Sequence, residues 1–187
     1  MVININLDKA AGELEVQELE APNGVASPHV YERLLAIYLC QNDLCNAKFL
    51  WKRIPASVKT AAPELASIWA VGQQMWKRDF PAIYNALNSV TWSENVADIM
   101  REVQEITRLR AVDLITRAYS SISLDAVAHM TGLTSDVANK ACSEKGWQIE
   151  ADTNIVHPVR SSTVIIGQNS SEDQLYRLTD FVSFLEN

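Results

Sequence analysis

The sequence is poor in the residue types on which most catalytic sites depend. It contains only six glycines and three histidines among its 187 residues. His29, His129 and His157 form neither H-x-H nor H-E-x-x-H, so the ligand spacing of a zinc hydrolase is absent. No glycine-rich phosphate loop, dinucleotide fingerprint or G-x-S-x-G element occurs. These absences predict a protein that is not an enzyme and that uses no metal or cofactor.

Cysteine and long apolar runs are scarce as well. The three cysteines are odd in number, and none forms C-x-x-C. Cys40 and Cys142 lie in apolar helical patterns, which favours a packing role over a reactive thiolate. No apolar run approaches the length needed to span a membrane, and no N-terminal targeting signal is visible. The sequence therefore predicts a soluble intracellular protein.

Runs of basic residues are also missing, since the chain has 16 Lys and Arg against 23 Asp and Glu and a net charge of −7. This matters for "LTSDVANKACSEKGWQIEAD" (residues 133–152), a pattern typical of a helix that enters the small β-wing of many DNA-binding proteins. Duplex binding requires a clustered basic face, because phosphate neutralisation supplies most of the affinity. Only Lys140 and Lys145 are basic here, so a winged-helix DNA-binding protein is disfavoured by charge.

Helical periodicity dominates the first half of the chain. In "SPHVYERLLAIYLC", Ser27 can cap a helix and Pro28 suits its first position. "LCNAKFLWKRI" follows after the tight turn "QND", so the two helices must pack antiparallel. "APELASIWAVGQQMWKR" begins a similar pair, and Gly72 within it predicts a close helix crossing. The apolar stripe of the first helix comprises Tyr31, Leu34, Leu35, Tyr38 and Leu39.

These stacked pairs predict tetratricopeptide-like helical repeats over residues 25–120, preceded by a weakly helical segment over residues 1–24. The segment has a faint pattern at Leu14, Gln17 and Leu19, which indicates a short helix. Ser93 can cap the longest helix, whose apolar stripe broadens in its second half. The stripe there includes Leu109, Ala111, Leu114, Ile115 and Ala118. The five tryptophans, at positions 51, 69, 76, 92 and 147, are predicted to pack in cores or interfaces.

A winged helix is predicted over residues 121–159. Ser123 can cap "LDAVAHM", Gly132 suits a left-handed helix end, and "DVANKACSEK" forms the second helix. "WQIE" and "IVHPV" alternate as strands, and the second is predicted to be an edge strand tolerant of Pro158. An edge strand offers unpaired backbone groups, so residues 155–159 are predicted to contact a neighbouring protein. The candidate interface residues of this region are Trp147, Ile149, Ile155 and Val156.

A polar linker over residues 160–171 leads to an amphipathic helix over residues 172–187. An isolated helix of this length is marginal in water, so its apolar stripe needs a partner surface. We expect the helix to insert into a bundle of partner helices. The stripe comprises Leu175, Leu178, Phe181, Val182 and Leu185.

Helical repeats followed by a winged helix and a terminal helix resemble the PCI-domain family. Within that family, four stretches of the sequence resemble the small PCI subunits of the COP9 signalosome, the subunit-eight family. The stretches are "ELEAPNGVASPHVYERLLAIYL", "AKFLWKRIP", "IWAVGQQMWKRDF" and "RLTDFVSFLEN". The resemblance covers about residues 17–159 and 172–187. It implies a non-catalytic scaffold that supports cullin deneddylation and the regulation of cullin-RING ubiquitin ligases. The zinc isopeptidase of that complex belongs to another subunit.

The resemblance also implies the partners. They are other signalosome subunits, with subunit three as the expected neighbour through the winged helix, and a C-terminal helical bundle of all subunits. No nucleic acid or membrane is implied, and the expected location is the cytoplasm and nucleus. Small PCI subunits of the proteasome lid and of translation initiation factor three share this architecture, so they remain the alternatives within the same class.

Overall fold

The computed structural model describes residues 3–150 and 153–159, together with Thr179 and Val182. These residues form a mainly helical fold with one three-stranded sheet, which confirms the predicted helical class. The helices are α1 (Ile3–Leu19), α2 (Pro28–Gln41), α3 (Leu44–Arg53), α4 (Ala56–Ala61), α5 (Pro63–Lys77), α6 (Phe80–Asn88), α7 (Ala97–Ala118), α8 (Leu124–Thr131) and α9 (Ser135–Glu144). The strands are β1 (Ile122–Ser123), β2 (Gln148–Glu150) and β3 (Ile155–His157).

Helix α2 is the centre of the first half, where it packs against α1, α3, α5 and α7. All five residues of its predicted stripe are buried, and Ala36, Ile37 and Cys40 on other faces are buried as well. A helix that is apolar on nearly every face is one that other helices surround. The apolar sequence of α2 therefore makes it the central helix of this core, and not merely one member of a two-helix hairpin.

The two helical hairpins are built with the same turn. The C-cap residue of α2 is Asn42 and that of α5 is Arg78, and both have a left-handed backbone conformation. Asp43 and Asp79 follow directly and accept hydrogen bonds from backbone amides at the starts of α3 and α6. Because an N-cap aspartate satisfies an otherwise unpaired amide, each Asp fixes where the return helix begins.

Gly72 lies where α5 crosses α2, as the sequence predicted. A Cβ at this position would be 3.0 Å from Leu39 Cδ2 and 3.3 Å from Trp69 Cε3. Both distances are closer than ordinary van der Waals contact, so a side chain here would force Leu39 on α2 or the Trp69 ring on α5 to shift.

The N-terminal helix is longer than expected. Helix α1 has 17 residues, and it packs on α2 through a stripe that includes Ala11 and Leu14. Leu19 is 84% exposed, so its assignment to the apolar face was wrong. Hydrogen bonds add to the apolar contacts along this helix. Tyr38 donates to Glu15 at 2.7 Å, and Arg53 donates to Glu18 through Nε and Nη2. The hydrogen bond to Glu18 raises the pKa of Arg53, so the guanidinium stays charged.

Two hydrophobic cores meet along α7. Met100 and Val103 belong to the first core, and Ile115 belongs to the second, which lies beneath the sheet. The helix begins at Ala97 rather than just after Ser93, whose carbonyl instead closes the turn that precedes it. The predicted broadening of the stripe was wrong, because several apolar residues of the second half are exposed. These include Leu109 (62%) and Leu114 (44%).

Side chains of α6 and α7 bind backbone carbonyls at the C-terminal end of α8 and so connect the first half of the fold to the second. Tyr84 Oη on α6 donates to the Met130 carbonyl at 3.3 Å, and Arg108 Nε on α7 donates to the Thr131 carbonyl at 3.0 Å. The last carbonyls of a helix have no partner within that helix, so these two donors satisfy groups that burial would otherwise penalise. Burial at this joint raises the pKa of Tyr84 to about 12. Tyr84 is therefore a neutral donor at physiological pH.

The sheet corrects the prediction for the last strand. Its order is β1-β3-β2, so β3 is the central strand and not an edge. Ile155 lies opposite Ser123 on one side and opposite Glu150 on the other. The prediction failed because β1 has only two residues, too few to show an alternating pattern. Pro158 is tolerated because it follows the last residue of β3 and need not donate to the ladder.

A buried threonine of α7 provides a first test of packing. Thr107 is 4% exposed, and its hydroxyl has no hydrogen-bond partner among the described residues, whereas the Thr131 hydroxyl donates to the Val127 carbonyl at 2.7 Å. An unpaired buried hydroxyl costs about 1–3 kcal/mol. We expect Thr107→Val to raise the free energy of unfolding by about 1 kcal/mol and Thr131→Val to lower it. Urea denaturation measures both, and equal effects would contradict the account.

None of the described helices combines the length and the apolar character needed to cross a bilayer. The predicted linker over residues 160–171 and most of the predicted C-terminal helix lie outside the described residues. Thr179 and Val182 are described as helical, and Val182 is 48% exposed. Leu175, Leu178, Phe181 and Leu185 stay sequence-based candidates for an interface.

Candidate protein-interaction surface

The histidines do not converge on a chemical site. Within residues 3–150 and 153–159, no cluster of three or more His, Cys, Asp and Glu side chains is placed to hold a metal ion. His157 lies between the Glu150 carboxylate, 3.1 Å away, and the Ser120 carbonyl, 3.3 Å away. Hydrogen bonds from Thr153 and His157 lower the pKa of Glu150. This network closes the turn between β2 and β3.

Two of the three thiols are inert for a physical reason. Cys40 and Cys142 are buried, and Cys45 is exposed. Burial raises the pKa of the Cys40 thiol to about 11 and also raises that of Cys142. Because only the thiolate is a good nucleophile, these two side chains act as small apolar packing groups, in line with the sequence interpretation.

The structure separates the four candidate interface residues of the second half. Trp147 is 7% exposed and Val156 is fully buried, so both belong to the core beneath the sheet. Ile149 on β2 and Ile155 on β3 are half-buried. Both backbone sides of Ile155 are paired, but no described strand pairs with the outer side of β2. The edges open to another chain in the described sheet are therefore those of β1 and β2 rather than β3, and β2 is the longer of the two, with three residues.

A small apolar groove lies between α7 and α9, next to this sheet. Its volume is about 130 Å³. The residues that line this α7–α9 groove are Arg108, Leu109, Val112, Val127, Thr131, Leu133, Ala138, Ala141, Cys142, Lys145 and Trp147. The lining is almost entirely apolar. Its only charged residues are Arg108 and Lys145, and Arg108 is paired with Glu105 at 2.7 Å. Trp147 thus contributes to a surface feature although most of its side chain is buried.

One residue of the groove lining is an exposed apolar side chain. Leu109 is 62% exposed, and the same helices carry two further exposed apolar residues, Leu114 on α7 (44%) and Val137 on α9 (50%). Single exposed apolar residues are ordinary, but a leucine at the mouth of an apolar groove is typical of an interaction surface. Sequence reasoning missed Leu109 and Leu114 because it assigned them to the core.

The described residues thus define a mainly helical protein with a small sheet, whose candidate site is an apolar groove beside an open sheet edge. A family model described as the CSN8/PSMD8/EIF3K family matches residues 26–164. The chain belongs to the CSN8/PSMD8/EIF3K family, which confirms the resemblance seen in the sequence.

Its relatives share one name across distant organisms. COP9 signalosome complex subunit 8 of Xenopus laevis is 47% identical over 184 residues, which cover 98% of this chain and 94% of that protein. The protein of the same name from Danio rerio is 46% identical, covering 96% of this chain and 94% of that protein. The one from Arabidopsis thaliana is 32% identical over 80% of this chain and 76% of its own length.

Proposed function

We propose that the chain is a non-catalytic scaffold subunit of the COP9 signalosome that supports cullin deneddylation through protein contacts. The observation that carries the proposal is the 45–47% identity, over nearly the whole chain, to vertebrate proteins named COP9 signalosome complex subunit 8. The expected location is the cytoplasm and the nucleus, where that complex would act on cullin-RING ubiquitin ligases.

The architecture supports this role as a PCI domain. The two hairpins with matching Asp-capped turns are interpreted as tetratricopeptide-like repeats. Helix α8, the turn at Gly132, helix α9 and the three strands are interpreted as a winged helix. Helix α9 exposes Asp136 and Glu144 as well as Lys140, so its surface offers no basic strip for phosphate. A winged helix of this charge is suited to contact with protein rather than with DNA.

The proposed lateral contact, with subunit three as neighbour, uses the outer edge of β2 and the α7–α9 groove. An open strand edge supplies backbone hydrogen bonds, and an apolar groove supplies buried area for anchoring side chains. The two features are continuous through Trp147, which lines the groove and directly precedes β2. One partner surface can therefore engage both.

Affinity purification of the tagged full-length chain from cells, followed by mass spectrometry, tests the assignment. We expect signalosome subunits at comparable amounts, with subunit three retained at the highest stringency. Recovery of proteasome-lid subunits or of initiation factor three subunits instead would contradict the assignment. Salt-sensitive filter binding to duplex DNA would favour the DNA-binding alternative.

Removal of residues 172–187 tests the second proposed contact, the bundle of terminal helices. Burial of the five apolar residues of the stripe could contribute roughly 10 kcal/mol before ordering costs. We expect the truncated chain to keep its melting temperature but to enter the signalosome poorly, as judged by size-exclusion chromatography. A large fall in melting temperature with intact assembly would show instead that the segment covers its own domain.

A further inference from the structure

Helices α3 and α5 carry a cluster of tryptophans at the surface of the first half. The rings of Trp51 and Trp69 are stacked, with centroids 5.6 Å apart and planes 12° apart. Trp76, which the sequence pattern assigned to a buried face, is 51% exposed. A half-exposed tryptophan is an unusual surface residue, because it leaves a large apolar area in water.

Lysines lie directly over these rings. Lys48 Nζ is 4.6 Å from the ring centroid of Trp76, and Lys59 Nζ is 4.7 Å from that of Trp51. Such cation–π contacts hold the ammonium groups close to the rings without neutralising their charge. Among the described residues, neither lysine forms a salt bridge with a carboxylate. A protein with a net charge of −7 thus keeps two ammonium groups at this surface that no described carboxylate pairs within salt-bridge distance.

A groove of about 370 Å³ opens at this surface. It is lined by Lys48, Trp69, Gln73, Trp76 and Lys77. The lining contains no carboxylate, and it combines indole surface, one amide and two ammonium groups. This tryptophan–lysine groove is complementary to a ligand that carries both carboxylates and apolar side chains. It lies on α3 and α5 and shares no residue with the α7–α9 groove.

We propose that the tryptophan–lysine groove binds an acidic peptide segment of a partner protein. The carboxylates of the segment would pair with Lys48 and Lys77 at the rim, and an apolar side chain would cover the part of Trp76 that Lys48 leaves exposed. Single-stranded nucleic acid fits less well, because bases stack on free ring faces. The Trp51 ring already stacks on Trp69 and contacts the ammonium group of Lys59, and the ammonium group of Lys48 lies over Trp76, so ring surface for base stacking is limited. The proposal does not rest on membership of the signalosome.

Fluorescence polarisation with the full-length chain tests the groove. The probe is a fluorescein-labelled glutamate-rich peptide with interspersed leucines. We expect the double variant Lys48→Glu, Lys77→Glu to weaken binding roughly tenfold or more, because like charges would then face each other. Trp76→Ala should also weaken it roughly tenfold, as expected for a central aromatic anchor. Binding of the original chain should weaken as salt rises.

Matched controls keep these outcomes decisive. The double variant Lys140→Glu, Lys145→Glu makes the same charge change at α9 and its C-cap, and Phe49→Ala removes an exposed aromatic ring of α3 that does not line the groove. Both control variants should bind the peptide like the original chain. Equal binding of a peptide with glutamine in place of glutamate would overturn the proposal, as would an equal loss in the controls. Absence of binding would also overturn it, and so would tighter binding of a single-stranded oligonucleotide.

Discussion

Replacement of Gly132 by alanine should lower the free energy of unfolding by roughly 3 kcal/mol. Gly132 ends α8 with a φ of 65°, a left-handed conformation that costs alanine about 1–2 kcal/mol. A Cβ there would also lie 2.5 Å from Cγ and Cδ2 of Tyr84. The ring cannot retreat freely, since Tyr84 is 4% exposed and its hydroxyl is bonded to the Met130 carbonyl. Overpacking of this kind adds about 1–3 kcal/mol, and urea denaturation measures the sum.

Gly146 provides the matched control, because it has a φ of 70° and open space where its Cβ would be. Gly146→Ala should therefore cost only the backbone penalty, about 1–2 kcal/mol. In a Tyr84→Ala background, Gly132→Ala should cost the same as Gly146→Ala, because the opposing ring is gone. Equal losses for Gly132→Ala and Gly146→Ala in the original chain would contradict the close packing of α8 against α6.

The helical hairpins could be predicted from the sequence because their signals are local. Pro28 and Pro63 occupy the first positions of α2 and α5, as expected for residues without an amide hydrogen. Asp79 marks a helix start through its cap, and Gly72 marks a close crossing through its missing side chain. Each of these features depends on a few neighbouring residues, which a reader of the sequence can see.

The sheet order could not be predicted in the same way. The position of β3 depends on its pairing with Ile122 and Ser123, more than thirty residues earlier in the chain. A strand of two residues has no periodicity, so nothing in the sequence distinguished it from the end of the preceding helix. The open edge was consequently assigned to residues 155–159, although the edge strands of the described sheet are β1 and β2.

The candidate groove was missed for a related reason. Hydrophobic periodicity shows which residues share a face, but it does not show whether another element covers that face. Leu109 and Leu114 share a helix with the buried Ile115, yet both are exposed and none of the helices with described bounds covers them. Trp147, one of the predicted interface residues, is 7% exposed and lines the α7–α9 groove.

Replacement of Leu109 by aspartate should block lateral assembly with little effect on the fold. Leu109 is 62% exposed and lines the α7–α9 groove, so its loss removes little intramolecular contact. Surface substitutions of this kind usually change stability by about 0.5 kcal/mol or less. A carboxylate in the mouth of an apolar groove must be desolvated when a partner docks. The loss of a central anchor costs about 2 kcal/mol or more, so affinity for the neighbouring subunit should fall at least roughly 30-fold.

Leu19→Asp is the control for this experiment, because Leu19 is 84% exposed and lies on α1, outside the groove. Each variant is co-expressed with tagged subunit three, and the retained fraction is measured by pull-down and size-exclusion chromatography. Leu19→Asp should assemble like the original chain. Ile155→Asp would be a poor substitute, since it places a charge on the central strand and would confuse folding with binding. If Leu109→Asp assembles as well as Leu19→Asp, the groove is not the lateral contact.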